Sequence, residues 1–167
     1  MTALDGASVR RVRAVLELAG SPAQVLELAA TARTARDAAA ALGVEVGAIV
    51  KSLVFLADRQ PVMALVAGDR QCDPAALVAV LGLEGPPKRA DADLVREATG
   101  FAIGGVAPVG HPEPLPTAID ASLGRFGQLF AAAGHPHCVF ATDLAELSHR
   151  RHGGRDRRRL TRRRRER

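Results

Sequence analysis

The stretch VGAIVKSLVFLADRQPVMALVAGD, residues 46–69, decides the fold. It holds two apolar, β-rich runs, 49–57 and 62–67, and the intervening DRQP reads as the turn of a hairpin. One residue interrupts the pattern. Lys51 begins an otherwise apolar strand, where its ammonium is costly to bury unless it reaches a partner or a cleft. A lysine snorkelling to solvent from a strand end accounts for the same spacing.

On the N-terminal side, VRRVRAVLELAG (9–20) carries Val9, Val12, Val15, Leu16 and Ala19 at helical spacing, with Ser8 as N-cap and Gly20 as terminator. QVLEL (24–28) alternates like a strand. RTARDAAAALG (33–43) is a short helix capped by Thr34, with Asp37 three residues on and Gly43 as its stop. On the C-terminal side, Asp73-Pro74 opens a helix through Leu81, since proline suits a first turn. GPPKRA (85–90) reads as a loop, and Asp91 caps a helix that ends at Gly100.

FAIGGVAPVGHPEPLPTAID (101–120) holds four Pro and three Gly and cannot be one helix. It reads as a strand, a glycine loop, a proline-stiffened turn and a second strand near 117–119. LFAAAG and HCVFAT are two further strands joined near 134–136, and Thr142 caps a last helix, TDLAELSH. Strands and helices mix without a regular βαβ rhythm, which favours an α+β fold with a mixed sheet.

Composition narrows the function classes. At 47% apolar residues the chain can fill a core, but it has five Phe and no Trp or Tyr, so platforms for stacking nucleobases are few. The net charge of +5 has two parts. Residues 148–167 hold 11 Arg against Asp156 and Glu166, a balance of +9; residues 1–147 hold 12 Lys and Arg against 16 Asp and Glu, a balance of −4. A nucleic-acid site on the body must therefore be local. Cys72 and Cys138 make no disulfide framework, which points to a reduced, cytoplasmic setting. No apolar run is long enough for a membrane span.

Several stretches could carry chemistry. Gly104 and Gly105 can expose backbone N–H groups to a phosphate or an oxyanion, or can simply serve a tight turn. No GKS or GKT follows them, so they are no P-loop. In HPHC (135–138), strand alternation sets His135 and His137 on one face and Cys138 on the other, which does not suit a metal. Ser52 follows Lys51 without a nucleophile elbow around it. Asp143 either complements the dipole of the last helix or turns a carboxylate toward the glycine loop.

In this order, RTARDAAAALGVEVGAIVKSLVF, the Gly68-Asp69 pair, RADADLVREATGFAIGGVAPVGHPEPLPTAID and the AAGHP–TDLAEL region resemble the YbaK/EbsC family of aminoacyl-tRNA deacylases. That family includes the editing domain inserted in some bacterial prolyl-tRNA synthetases. The resemblance spans nearly all of residues 8–147. It implies a curved mixed β-sheet flanked by helices, and hydrolysis of the ester joining a wrong amino acid to the tRNA 3′ end. Lys51, Gly104, Gly105 and Asp143 resemble the family's catalytic set, with Ser52, Phe101, Val106 and His111 around the substrate; His111 closes the motif without a catalytic role. No metal or cofactor is implied. The partners implied are the aminoacyl-tRNA acceptor end and, beside it, a synthetase. The leading alternative is a binding module of the same fold that holds a small metabolite or a tRNA end without turnover. A third class, weaker still, is a nucleic-acid-binding protein driven by its tail.

The division expected is an editing domain over 1–147 and a disordered arginine-rich tail over 148–167. The family continues after its last helix with a Leu-Thr-Gly segment and a short apolar strand, whereas here Leu147 is followed by Ser148, His149 and the arginine run. Either a frameshift produced the tail, or it is an arm adding salt-dependent tRNA affinity.

Overall fold

The computed structural model describes residues 2–29, 32–148 and 158–160. Along the chain these form α1 (Ala7–Leu18), β1 (Val25–Glu27), α2 (Ala35–Leu42), β2 (Ile49–Ala57), β3 (Gln60–Ala67), α3 (Pro74–Leu81) and β4 (Lys88–Arg89). There follow α4 (Ala92–Thr99), β5 (Thr117–Asp120), β6 (Leu129–His135), β7 (Cys138–Thr142), α5 (Leu144–Ser148) and β8 (Arg158–Leu160).

Local chemistry sets most helix ends. Thr34 Oγ1 accepts the Asp37 N–H at 3.1 Å, Asp73 Oδ1 accepts those of Ala75 and Ala76, and Asp91 Oδ1 accepts that of Leu94. Two expected caps move. Gly6, not Ser8, holds the cap position of α1, because Ala3–Asp5 already forms a short 3-10 turn ahead of it. Asp143, not Thr142, caps α5: its Oδ1 accepts the Glu146 N–H at 2.8 Å. Thr142 remains in β7, buried, with its hydroxyl unpartnered.

The hairpin forms between β2 and β3, with Lys51 opposite Val66 and Phe55 opposite Val62. The sheet runs β1-β7-β6-β2-β3-β5-β8 and curls as a half-barrel. Its β2–β6, β3–β5 and β5–β8 pairs are parallel and the others antiparallel, so the mixed sheet expected from the sequence is present. Two expectations are corrected. Lys88–Arg89, read as loop, pairs with β2 at Leu56 and Phe55. Residues 101–103, read as a strand, belong to none, because the chain there turns directly into the glycine loop. Within the stretch read as a disordered tail, Arg158–Leu160 pairs with Ala118–Asp120 of β5. Residues 149–157 and 161–167, where the rest of the arginine run falls, lie outside the described residues.

The two faces of the sheet differ. The inner face buries one large core, built from α1 (Val9, Val12, Leu16), Val95 of α4, Leu147 of α5, and inward residues such as Val50, Val54, Met63, Leu65 and Phe140. The outer face carries two smaller clusters. One lies under α2 with Ile49, Phe130 and Val139; the other lies under α3 with Phe55, Val62, Val66, Leu77 and Ala118. Strand alternation puts Lys51 on this outer face, between Ile49 of the first cluster and Leu53 and Phe55 of the second.

The turn between β2 and β3 stores strain. Asp58 and Arg59 both adopt positive φ, 51° and 60°, as a two-residue hairpin turn demands, though neither is glycine. Replacing Asp58-Arg59 by Asn-Gly is expected to stabilise the fold by about 1 kcal/mol. The urea midpoint should rise at unchanged m-value; an unchanged or lower midpoint would contradict the turn geometry.

Candidate active site

The site begins with a gap in the sheet. On one side of β2, pairing to β6 covers Ile49 and Val50, and pairing to β4 covers Phe55 and Leu56. Ala90 N–H extends the second contact to the Val54 carbonyl. Between these ladders, residues 51–53 have a strand neighbour only on the β3 side. Lys51 stands at this seam.

Lys51 is half-buried, and its Nζ donates to the carbonyl oxygen of Arg70. Burial holds the ammonium below the usual lysine range. The Arg89 cation pushes it the same way, and Asp120, Asp69 and Cys72 act against them. Neither acid is free to pair with it. Asp69 makes a bidentate contact with Arg125, at 2.8 and 2.9 Å. Asp120 accepts the Ala67 N–H on one oxygen and the Ser122 N–H on the other. Lys51 Nζ, with one acceptor among the described residues, therefore keeps donor capacity for a ligand.

The glycine loop lies against the end of β6, the strand that leaves β2 after Val50. Between the Ala132–Val139 and His135–Cys138 pairs, β6 contains two extra residues, a bulge at Ala133-Gly134. The loop packs here: a Cβ on Gly105 would fall 2.9 Å from the backbone N and Cα of His135, so only glycine permits the approach. From the parallel register Lys51 is level with Ala132, roughly 10 Å along the strand from His135. Gly105 N–H is already used, donating to the Ala102 carbonyl at 3.0 Å. The N–H groups of Gly104 and Val106 donate to no described residue, which makes them the loop's available donors.

The loop is held from behind. Arg11 of α1 stacks its guanidinium 4.4 Å from the Phe101 ring centroid, and its Nη2 points at the Thr99 carbonyl. Thr99 Oγ1 accepts the Phe101 N–H, and His111 packs edge-on against Phe101 while its Nε2 contacts the Ala107 carbonyl at 2.8 Å.

Not every residue singled out by sequence joins the cleft. Lys51 stands at the seam in β2, and Gly104, Gly105 and the backbone of Val106 lie at the end of the neighbouring β6. Ser52 alternates with Lys51 onto the inner face, where its hydroxyl is buried and unpartnered. Phe101 is 1% exposed and the Val106 side chain is buried, so both support the loop from the core. His111 closes the loop against Phe101 and the Ala107 carbonyl. Asp143 lies elsewhere. Thr142 pairs with Leu129 at the start of β6, so Asp143 is about 20 Å along that strand from the glycine loop. It caps α5 and lines a separate cavity of about 440 Å³ with Gln24, Leu26, Gln128 and Glu146.

His135 was weighed in the sequence only as a metal ligand. Alternation fails for HPHC because Pro136-His137 is a turn and Cys138 is buried in the inner core. His135 Nδ1 accepts the His137 N–H at 3.0 Å, which leaves the proton of the neutral ring on Nε2. Its backbone abuts Gly105. No cluster of three metal-ligating side chains exists among the described residues. No described helix is long and apolar enough to cross a membrane.

Fold and site together define a small α+β domain in which one half-buried lysine and a glycine-rich loop frame a split in a mixed sheet. The chain belongs to the aminoacyl-tRNA editing domain family, which residues 29–149 match. It is 31% identical over 138 residues to a proline--tRNA ligase of Solidesulfovibrio magneticus, covering 80% of this chain but 24% of that one. It thus spans about a quarter of that ligase's length. It is 32% identical over 125 residues to the uncharacterized protein YwhH of Bacillus subtilis, covering 74% of this chain and 78% of that one. Among solved structures it resembles a candidate trans-editing enzyme for prolyl-tRNA synthetase, with a TM-score of 0.83 and 41% identity over 93% of this chain and 98% of that one.

The electrostatics of Lys51 are directly measurable, since the chain has one other lysine, Lys88. An NMR titration should place Lys51 below the usual lysine value of about 10.4. Arg89→Ala removes a like charge and should raise it; Asp120→Asn removes an attractive charge and should lower it further. A Lys51 that titrates in the ordinary range would contradict its burial at the seam.

Proposed function

We propose that this protein is a trans-acting deacylase that hydrolyses mischarged aminoacyl-tRNA at the 3′-terminal ester. The observation carrying the reading is Lys51, an ammonium held by one backbone carbonyl at a gap in the sheet, with its acidic neighbours engaged elsewhere. Family membership supports the substrate class, and the solved relative described as a candidate trans-editing enzyme supports action on tRNA charged elsewhere.

An aminoacyl ester is already activated, so positioning and oxyanion stabilisation supply most of what the reaction needs. Lys51 binds the terminal phosphate or ribose oxygens. Water adds to the ester carbonyl, and the developing oxyanion is met by the N–H groups of Gly104 or Val106. The tetrahedral intermediate then collapses. The carbon–oxygen ester bond breaks, the ribose hydroxyl takes up a proton, and the free amino acid leaves. Where the misloaded amino acid carries a thiol, its own sulfur can attack in place of water. A protein nucleophile has no part in this scheme. Ser52 is turned into the core, burial pushes the Cys72 thiol up to about 11, and burial likewise raises Cys138. Neither thiol is ionised at neutral pH.

Lys51→Ala is expected to lower the deacylation rate about 100-fold or more, on the scale of losing a dedicated electrostatic contact, while circular dichroism stays unchanged. Turnover of mischarged tRNA by that variant at the wild-type rate would sink the role given to Lys51. Tight binding without release of any amino acid, across a panel of mischarged tRNAs, would favour the binding-module alternative.

A further inference from the structure

Arg89 is the second cation on the cleft face, and the chemistry described so far gives it no part. It sits on β4 in register with Phe55, and its guanidinium carbon stacks 5.3 Å from the Phe55 ring centroid. Lys51 and Phe55 share one face of β2, four residues apart, or about 13 Å along the strand, with Leu53 between them. Arg89 thus stands at the far end of the seam, and Lys51 at the near end.

Neither cation makes an ion pair with a described residue, although Asp120 and Asp69 act on Lys51 from nearby. Asp91, two residues on, has Oδ1 committed to the Leu94 N–H as the cap of α4. Asp69 and Asp120 are committed to Arg125 and to backbone N–H groups. Residues 1–147 carry a net −4, so two cations on one face of β2 can offer a local positive site on an acidic body. Stacking on Phe55 restrains the guanidinium plane and leaves its N–H edge open. That edge is the geometry that takes two oxygens of a phosphate.

We propose that Arg89 seats a backbone phosphate of the RNA 3′ end, next along the strand from the group met by Lys51, and so orients the RNA along this face of β2. This rests on the deacylase reading for the identity of the ligand. The seat itself is defined by the Arg89 guanidinium, its Phe55 support and the Lys51 ammonium further along the same face. Arg89 contacts phosphate and not the reacting ester, so it should govern binding more than the chemical step.

The test compares Arg89→Ala and Arg89→Lys with wild type on two substrates: a mischarged tRNA, and the same amino acid esterified to adenosine without any phosphate. For tRNA, Arg89→Ala should raise KM about 10-fold with kcat little changed, and Arg89→Lys should recover part of the loss. For the aminoacyl-adenosine the variants should match wild type. Binding of an uncharged CCA-ended RNA minihelix, followed by fluorescence anisotropy against salt, should show the log–log slope shallower by about 0.7 in Arg89→Ala, the share of one phosphate contact on a single strand. Unchanged KM and an unchanged salt slope would overturn the seat, as would equal losses on both substrates, which would mean that Arg89 acts through the fold. If wild type hydrolyses neither substrate yet Arg89→Ala flattens the salt slope, the seat stands and the deacylase reading falls.

Discussion

The rest of the structure depends on how β2 is paired. One of its sides is paired along its length with β3, while on the other β6 departs after Val50 and β4 arrives at Val54 and Phe55. An ammonium placed in a fully paired apolar sheet would be left without partners, at a cost of several kcal/mol. At the seam it finds the Arg70 carbonyl. Register makes this specific: a slip of one residue in the hairpin would send Lys51 into the inner core and bring Ser52 out. The apolar residues around Lys51 thus decide where its charge is presented, and the turn at Asp58-Arg59 tolerates strained backbone to keep that register.

The second constraint is a close approach. The glycine loop can lie against the end of β6 only because Gly105 lacks a Cβ and because β6 bulges at Ala133-Gly134. Behind it, Arg11, Phe101, Thr99 and His111 tie the loop to α1 and α4 through stacking and hydrogen bonds. The loop therefore rests on the main core, and the N–H groups of Gly104 and Val106 donate to no described residue. Preorganised dipoles of this kind stabilise a transition state without being reorganised during the reaction.

Much of this was legible in the sequence where the cause was local. The hairpin, the caps at Thr34, Asp73 and Asp91, and the breaks at Gly43 and Gly100 follow from neighbouring residues alone. Lys51 announced itself as a charge in an apolar strand, although its spacing fitted a solvent-seeking lysine equally well. The tertiary consequences were not legible. Nothing in IVKSLVF says that β6 leaves β2 after Val50, nor that Lys88-Arg89 returns as a strand beside Phe55. The bulge that brings His135 against Gly105 depends on pairing with β7, and the strand-like look of HPHC concealed it. Which of its two readings Asp143 takes was hidden for the same reason. Its position in the motif suggested the pocket, but the length of β6 separates it from the loop.

The most direct test of the cleft is an NMR titration with a non-hydrolysable aminoacyl-adenosine carrying a 5′-phosphate and an amide in place of the ester. The account predicts chemical-shift changes concentrated at Lys51, Gly104, Gly105, Val106 and His135, with Asp143 and Glu146 unmoved. Changes centred instead on the cavity beside Asp143 and Gln128, with Lys51 silent, would contradict it.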